Sequence, residues 1–213
     1  MAILETGLAT ASTQAAVESR AMRVIPVGRG NAYAASATSG VIAAALGANS
    51  SVFAMRLNPG SVLRAHIERI CVQFTTIVAF TTPVTAARSL ALFRGTGAAA
   101  SAGTAMTPVS KDSTFATSQC LIANGGDMRI SATAGLTVTG ITFEATPLCT
   151  MTLSHVGNAG NYQEAIWESH ATESYPIVLT PGQVLAIRNP VAMDPAGTWQ
   201  FAINIDWHEA APL

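Results

Sequence analysis

The 213-residue sequence contains few charged residues. Asp, Glu, Lys and Arg make up 11% of it, against about 25% in ordinary globular proteins, whereas the apolar share of 49% is typical. The surface must therefore be built largely from Ala, Thr, Ser, Gly and Asn. Covering such a surface desolvates few charges and immobilises few long side chains. This composition favours extensive packing against neighbouring subunits, and a monomer with a polar but uncharged surface is the alternative.

Basic runs and long apolar runs are also absent. The 11 Lys and Arg and the 12 Asp and Glu give a net charge of −1, and no cluster of basic residues exists to track a phosphate backbone. No segment approaches the ~20 apolar residues that span a bilayer, and residues 1–5 lack the basic start of a signal peptide. We therefore expect a protein that is made in a cytoplasm and that contacts neither nucleic acid nor membrane.

Cysteine is scarce as well. Cys71, Cys120 and Cys149 are odd in number and lack Cys-x-x-Cys spacing, so they indicate neither a disulfide framework nor a zinc site. Cys71 and Cys149 lie in strand-like segments. We expect buried free thiols that serve packing rather than reactivity.

The pattern that is present is that of β-strands. Five large apolar residues from Trp199 to Trp207 alternate strictly with small or polar ones, which predicts a half-buried antiparallel strand. The run over residues 61–80 changes phase near Glu68 and Arg69, and this slip predicts a β-bulge. Residues 180–183, with Pro second and Gly third, fit a type II turn. Further strands are predicted at 51–57, 89–93, 128–132, 136–144, 148–155, 175–179 and 184–188. The predicted core includes Ile70, Val72, Phe74, Leu136, Val138, Trp199, Phe201, Ile203 and Ile205.

Short strands punctuated by Gly and Pro, without a convincing long helix, predict an all-β fold. We expect an antiparallel, jelly-roll-like β-sandwich over residues 51–213. Residues 1–50 are rich in Ala, Ser, Thr and Gly and sustain neither a helical nor a strand period, so they are predicted to form an extended N-terminal arm with one or two short strands. The arm has too few large apolar residues for a core of its own. Neighbouring subunits are expected to pair with it or cover it.

The residues that could carry chemistry form weak constellations. Asp206 and His208 share the polar face of the last strand and Glu209 is adjacent, as a metal site or an acid–base pair would require. The solvated face of an antiparallel strand explains them equally well. His66 and Glu68 also share a strand face, and a surface pair explains them. We therefore predict no catalytic residue, no metal and no cofactor.

The aromatic residues have two alternative roles. Trp199 and Trp207 could stack on a sugar, but both fall on the apolar face of their strand, which favours core packing. Trp167 is less clearly inside, and Tyr162 lies five residues before it. Because aromatic residues are enriched at protein interfaces, Trp167 and Tyr162 are the predicted inter-subunit contacts.

Segments spread over residues 61–207 resemble a family of small virion proteins that tailed bacteriophages encode among their head and tail structural genes. The most specific segment is 175–193, which holds the predicted turn at Thr180 to Gln183 and is continued by 196–199. The other similar segments are 69–82, 91–95, 103–109 and 128–133. The resemblance implies a structural role in the virion without fixing a position on the particle.

Two functions follow from the resemblance as hypotheses. The first is a capsid decoration or cement protein that packs on the shell of the major capsid protein and stabilises it. The second is a tail, neck or fibre component, including a receptor-binding module for host glycans. The single compact domain and the low-charge arm favour the first, since fibres more often show repeats or heptads. By analogy with other jelly-roll virion proteins, we expect a homo-oligomer, most simply a trimer.

Overall fold

The computed structural model describes residues 31–80, 88–153, 161–168 and 176–212, with the backbone alone at 161–165. Within these ranges two antiparallel β-sheets pack against each other, so the all-β sandwich is confirmed. None of the described residues belongs to a helix long and apolar enough to cross a membrane. The strands are β1 (Asn31–Thr38), β2 (Ser50–Arg56), β3 (Arg64–Val78), β4 (Ser89–Gly97), β5 (Thr104–Ala105), β6 (Val109–Ser110), β7 (Asp127–Ile130), β8 (Ile141–Phe143), β9 (Cys149–Thr152), β10 (Asn161–Glu168), β11 (Ile177–Leu179), β12 (Gln183–Asn189) and β13 (Thr198–Ala210).

The strands are divided between a six-stranded and a seven-stranded sheet. The first sheet has the order β10-β3-β13-β1-β6, and β11 also pairs with β3. The second sheet has the order β5-β7-β2-β12-β4-β8, and β9 also pairs with β4. Consecutive strands lie in different sheets at β1/β2, β2/β3, β3/β4, β5/β6, β6/β7, β9/β10, β11/β12 and β12/β13. The chain therefore crosses between the two sheets repeatedly, as in an antiparallel sandwich.

The main core lies between the sheets, and β13 dominates it. Its inward residues, from Trp199 to Trp207 at every second position, are at most 1% exposed, as the alternation predicts. On the neighbouring β3, Arg69 lies opposite Asp206 but Ile67 lies opposite Trp207, so one residue is extra on β3. That residue is Glu68, and the predicted bulge is confirmed.

The turn between β11 and β12 also follows the prediction. Gly182 has a φ of 80°, and the Gln183 N–H donates to the Thr180 carbonyl at 3.0 Å. A positive φ at the third position is the mark of a type II turn and favours glycine. The turn joins β11 in the first sheet to β12 in the second.

Two predicted core residues lie elsewhere. Leu136 is buried in a smaller cluster on the outward side of the second sheet, together with residues such as Ala54 and Val184, and Val138 is only partly buried against it. The single strand predicted over 136–144 is wrong, because a turn interrupts it. Gly140 has a φ of 82°, and the Ile141 N–H donates to the Val138 carbonyl at 3.1 Å.

The sandwich begins before the predicted boundary at residue 51. Strand β1 lies inside the predicted arm, yet it pairs with β13 over all eight of its residues. Ile42 and Leu46 follow it and are buried in the main core. Residues 31–50 are thus part of the sandwich, and the rest of the predicted arm, residues 1–30, lies outside the described residues.

Candidate interaction surfaces

The outward face of the first sheet divides into a charged and an uncharged half. The adjacent strands β1, β13 and β3 form the uncharged half, and their residues lie directly opposite one another across the sheet. Ser36 lies opposite Asn204, which lies opposite Cys71. In the next row, Thr38 lies opposite Ala202, which lies opposite Gln73. The uncharged half consists of Ser36, Thr38, Cys71, Gln73, Thr75, Gln200, Ala202 and Asn204. These side chains carry no formal charge, and most of them are at least partly exposed.

The charged half of the same face contains a stacked pair of histidines and a lysine–aspartate ion pair. The rings of His66 and His208 stack with centroids 4.7 Å apart, and the Nδ1 of His208 lies 3.1 Å from the Glu68 carboxylate. The Nζ of Lys111 lies 2.6 Å from an Asp206 oxygen. Burial lowers the pKa of His66, and nearby His208 adds to this effect. His66 is therefore neutral at pH 7, and the two rings stack without mutual repulsion.

The predicted chemical trio is not assembled. Asp206 and His208 do share a face, but Glu209 points into the sandwich and is buried. Its carboxylate accepts hydrogen bonds from the Ser118 hydroxyl at 2.6 Å, the Gln119 N–H at 2.9 Å and the Trp207 indole at 3.2 Å. Glu209 thus ties the loop after β6 to the end of β13. In the described part of the chain, no group of three His, Cys, Asp or Glu side chains is arranged to hold a metal.

The structure places Trp167 on β10, where it is partly buried against the main core. Its indole N–H points to the Ile67 carbonyl at 3.4 Å. Trp167 therefore contributes to its own fold, and only its exposed part is left for a neighbouring subunit. The backbone of Tyr162 pairs with Phe74, but its side chain lies outside the described residues. The interface role predicted for these two residues stays a prediction.

The three cysteines are free. Cys120 is fully buried beside Glu209, and burial raises its pKa well above the usual thiol value. Burial also raises the pKa of Cys149 to about 11, and its thiol donates to the Ile166 carbonyl at 3.1 Å. Cys71 is buried among the outward residues of β3. The packing role predicted for these thiols fits their burial.

A groove that the sequence does not reveal lies on the outward side of the second sheet. It encloses about 600 Å³ and is open to solvent. The Arg188 guanidinium lies 5.2 Å from the ring centre of Phe93 and 4.4 Å from that of Phe143. Both Nε and Nη2 of Arg188 donate to the Asn49 carbonyl, at 3.1 and 2.6 Å. Hydroxyls of Ser89 and Thr150 complete the lining, together with other residues.

This groove combines the groups that bind small polar ligands. A guanidinium held over two aromatic rings and several hydroxyl groups provide directed hydrogen bonds. Glu144 lies at the rim, where Arg94 donates to it at 2.7 Å. The groove could not be predicted from local pattern, because its members come from β4, β8, β9, β12 and the loop before β2.

Comparisons with protein-family models, curated proteins and solved structures find no match for this chain.

Proposed function

We propose that this chain is a structural protein of a tailed bacteriophage particle, and specifically a decoration protein that packs on the capsid shell. The observation that carries the proposal is the uncharged half of the first sheet's outward face. The resemblance of segments between residues 61 and 207 to small virion proteins supports the assignment to a phage particle.

The uncharged half suits permanent contact with a large assembly. Binding there displaces water from amides, hydroxyls and methyl groups and leaves no unpaired charge behind. The short side chains lose little conformational entropy when they are covered. The face is also rigid, because β13 is held between β1 and β3 along nearly its whole length. A rigid face loses less entropy on binding than a mobile one.

The groove at Arg188 favours the second candidate, a tail or fibre component that recognises a host glycan. Sugars exchange hydrogen bonds with guanidinium, carboxylate and hydroxyl groups, and the groove offers all three. Its volume lies within the range of about 300–1,000 Å³ that is usual for ligand sites. The decoration role remains the primary proposal, because the groove is open and the Arg188 donors are partly used by Asn49.

Adding purified protein to particles that lack it tests the decoration role. We expect the wild-type protein to bind to heads in many copies and to raise the temperature at which they release DNA. Asn204→Lys places a charge at the centre of the uncharged half and should raise the dissociation constant for heads at least ~10-fold, which is about 1.4 kcal/mol in binding free energy. Val62→Lys is the matched control, because Val62 is 80% exposed in a loop, and it should bind like the wild type.

Three results would contradict this proposal. Equal binding of Asn204→Lys and wild type would show that the uncharged half is not the contact. Failure of the wild type to bind heads would remove the decoration role. Binding confined to tails, together with loss of binding to host glycans in Arg188→Ala, would establish the second candidate instead.

A further inference from the structure

Strand β1 leaves part of its outer edge unpaired within the described residues. On that side β6 pairs with it only at Tyr33 and Ala34. On the other side, the Ser39 N–H donates to the Phe201 carbonyl. Because backbone groups alternate in direction along a strand, those of Ala37 and Ala35 also point toward β13. The N–H and C=O groups of Ser36 and Thr38 must therefore point away from β13, toward the open edge.

Within the described residues, this edge shows none of the usual protections against strand pairing. Natural sheets protect their edges with Lys, Pro, bulges or a covering segment. Residues 35–38 are Ala, Ser, Ala and Thr, and β1 keeps one register with β13 without any shift. The opposite edge differs, because β10 has a register shift between Ala165 and Trp167. The β1 edge therefore has the features of a strand that accepts another.

A shallow groove lies beside the open edge. It encloses about 270 Å³ and is lined by Ala34, Ser36, Val109, Asn204 and other residues. Val109, at the end of β6, is 64% exposed. A strand added to β1 beyond the short β6 would place one of its outward side chains in this groove, beside Val109. An aliphatic side chain fits these surroundings, since it would cover exposed apolar area.

We propose that residues 22–27 of a second copy of this chain add to β1 as a strand at residues 35–38, antiparallel like the other pairs of this sheet, with Ile25 opposite Thr38 and Val27 opposite Ser36. The segment contains Val24, Ile25 and Val27, which are strong strand formers. Pro26 sets the phase of the pairing, because its missing N–H must point away from β1. Ile25 and Val27 then direct their N–H groups toward Ser36 and Thr38. Pro26 lies on the new outer edge, where it prevents further addition.

Chain length favours a second copy over the same copy. Ser36 lies five residues into β1, roughly 17 Å along the strand at ~3.3 Å per residue. Val27 is four residues before Asn31, and four residues span at most ~14 Å. Val27 of the same copy therefore cannot reach Ser36. The pairing of Ile25 and Val27 with Thr38 and Ser36 is thus impossible within one chain. A segment from another copy has no such limit.

Mixed single-cysteine variants test this pairing in purified protein. Ile25→Cys and Thr38→Cys, purified separately, mixed and oxidised, should form a covalent dimer that neither variant forms alone, because the two residues lie directly opposite each other in the proposed pairing. Val62→Cys mixed with Ile25→Cys is the control, and oxidised wild type sets the background from the native cysteines. A mixture that crosslinks no more than the control would overturn the proposal. A double variant that crosslinks only within one chain would overturn it in favour of the same copy.

Charges on the edge give an independent measurement. Ser36→Lys with Thr38→Lys should lower the oligomer to a monomer by native mass spectrometry without changing the melting temperature, since both side chains are exposed. Gln200→Lys with Thr75→Lys places the same charges on the same face but away from the edge and should leave the oligomer intact. A monomeric wild type, or an oligomer that survives the edge lysines, would contradict the inference. Neither measurement involves particles, so the inference can fail while the decoration role stands.

Discussion

Glu209→Gln tests whether the buried carboxylate holds the loop after β6 to the sandwich. The glutamine has nearly the same shape, and its oxygen can replace Oε1, which accepts from Ser118, Gln119 and Trp207. Its amide nitrogen then occupies the place of Oε2, where the Gln119 N–H donates at 2.9 Å. Two donors would face each other there. A hydrogen bond to a charged group contributes about 1.5–3 kcal/mol, so we expect a loss of roughly 2–3 kcal/mol.

Urea denaturation followed by tryptophan fluorescence measures this loss, since Trp207 contacts Glu209 directly. In melting temperature the expected decrease is roughly 4–12 °C for a chain of this length. Glu144→Gln is the matched control. It removes the Glu144 carboxylate, which pairs with Arg94; the two side chains are 43% and 34% exposed. Because exposed ion pairs contribute little, the free energy of unfolding should fall by roughly 0–1 kcal/mol. If Glu209→Gln destabilises the protein no more than Glu144→Gln does, the anchoring role is wrong.

Four further results are expected. Phe201→Ala should cost roughly 3–5 kcal/mol in denaturation experiments, because it leaves a cavity in the main core; an unchanged stability would contradict the assigned core. Asp206→Asn with His208→Gln should leave particle assembly intact, and a stoichiometric metal lost in this variant would contradict that. Cys149 should react slowly with thiol reagents at about pH 8 until the protein unfolds, because its pKa of about 11 leaves it protonated. Burial lowers the pKa of His66, so the unfolded state binds the proton more readily than the folded state and stability decreases as the pH falls below ~6.5; His66→Asn should therefore reduce the difference in stability between about pH 7.5 and pH 5.

The strands that the sequence predicts best are those with strong contrast between their two faces. On β13 the inward residues are large and apolar and the outward ones are small or polar, so periodicity alone identifies the buried face. On β3 the same contrast reveals the bulge at Glu68. The buried face of strand β1 cannot be predicted in this way. Its inward Ala35 and outward Ala34 are identical, and only its pairing with β13 orients them.

Other features depend on contacts between distant parts of the chain. The polar side chain of Glu209 takes the inward phase of β13, which the alternation rule assigns to apolar residues. Its burial is possible because Ser118 and Gln119, about 90 residues away, satisfy the carboxylate. The Arg188 groove likewise joins strands that are far apart in the sequence. No local pattern can predict such sites.

The expected arm can be tested with two truncations. Deleting residues 2–30 removes no strand of the described sandwich, so the protein should keep its melting temperature and lose its oligomeric state. Deleting residues 2–45 also removes β1 and the buried Ile42, so it should unfold the sandwich or lower its melting temperature strongly. Equal melting temperatures for the two truncations would contradict the place of β1 in the fold.

Copy number per particle tests the decoration role most directly. On the proposed function, quantitative mass spectrometry of purified phage particles compares the amount of this chain with that of the major capsid protein. A decoration protein should be present in hundreds of copies, in a fixed ratio to the capsid subunits. A few copies per particle, or none, would contradict the decoration role.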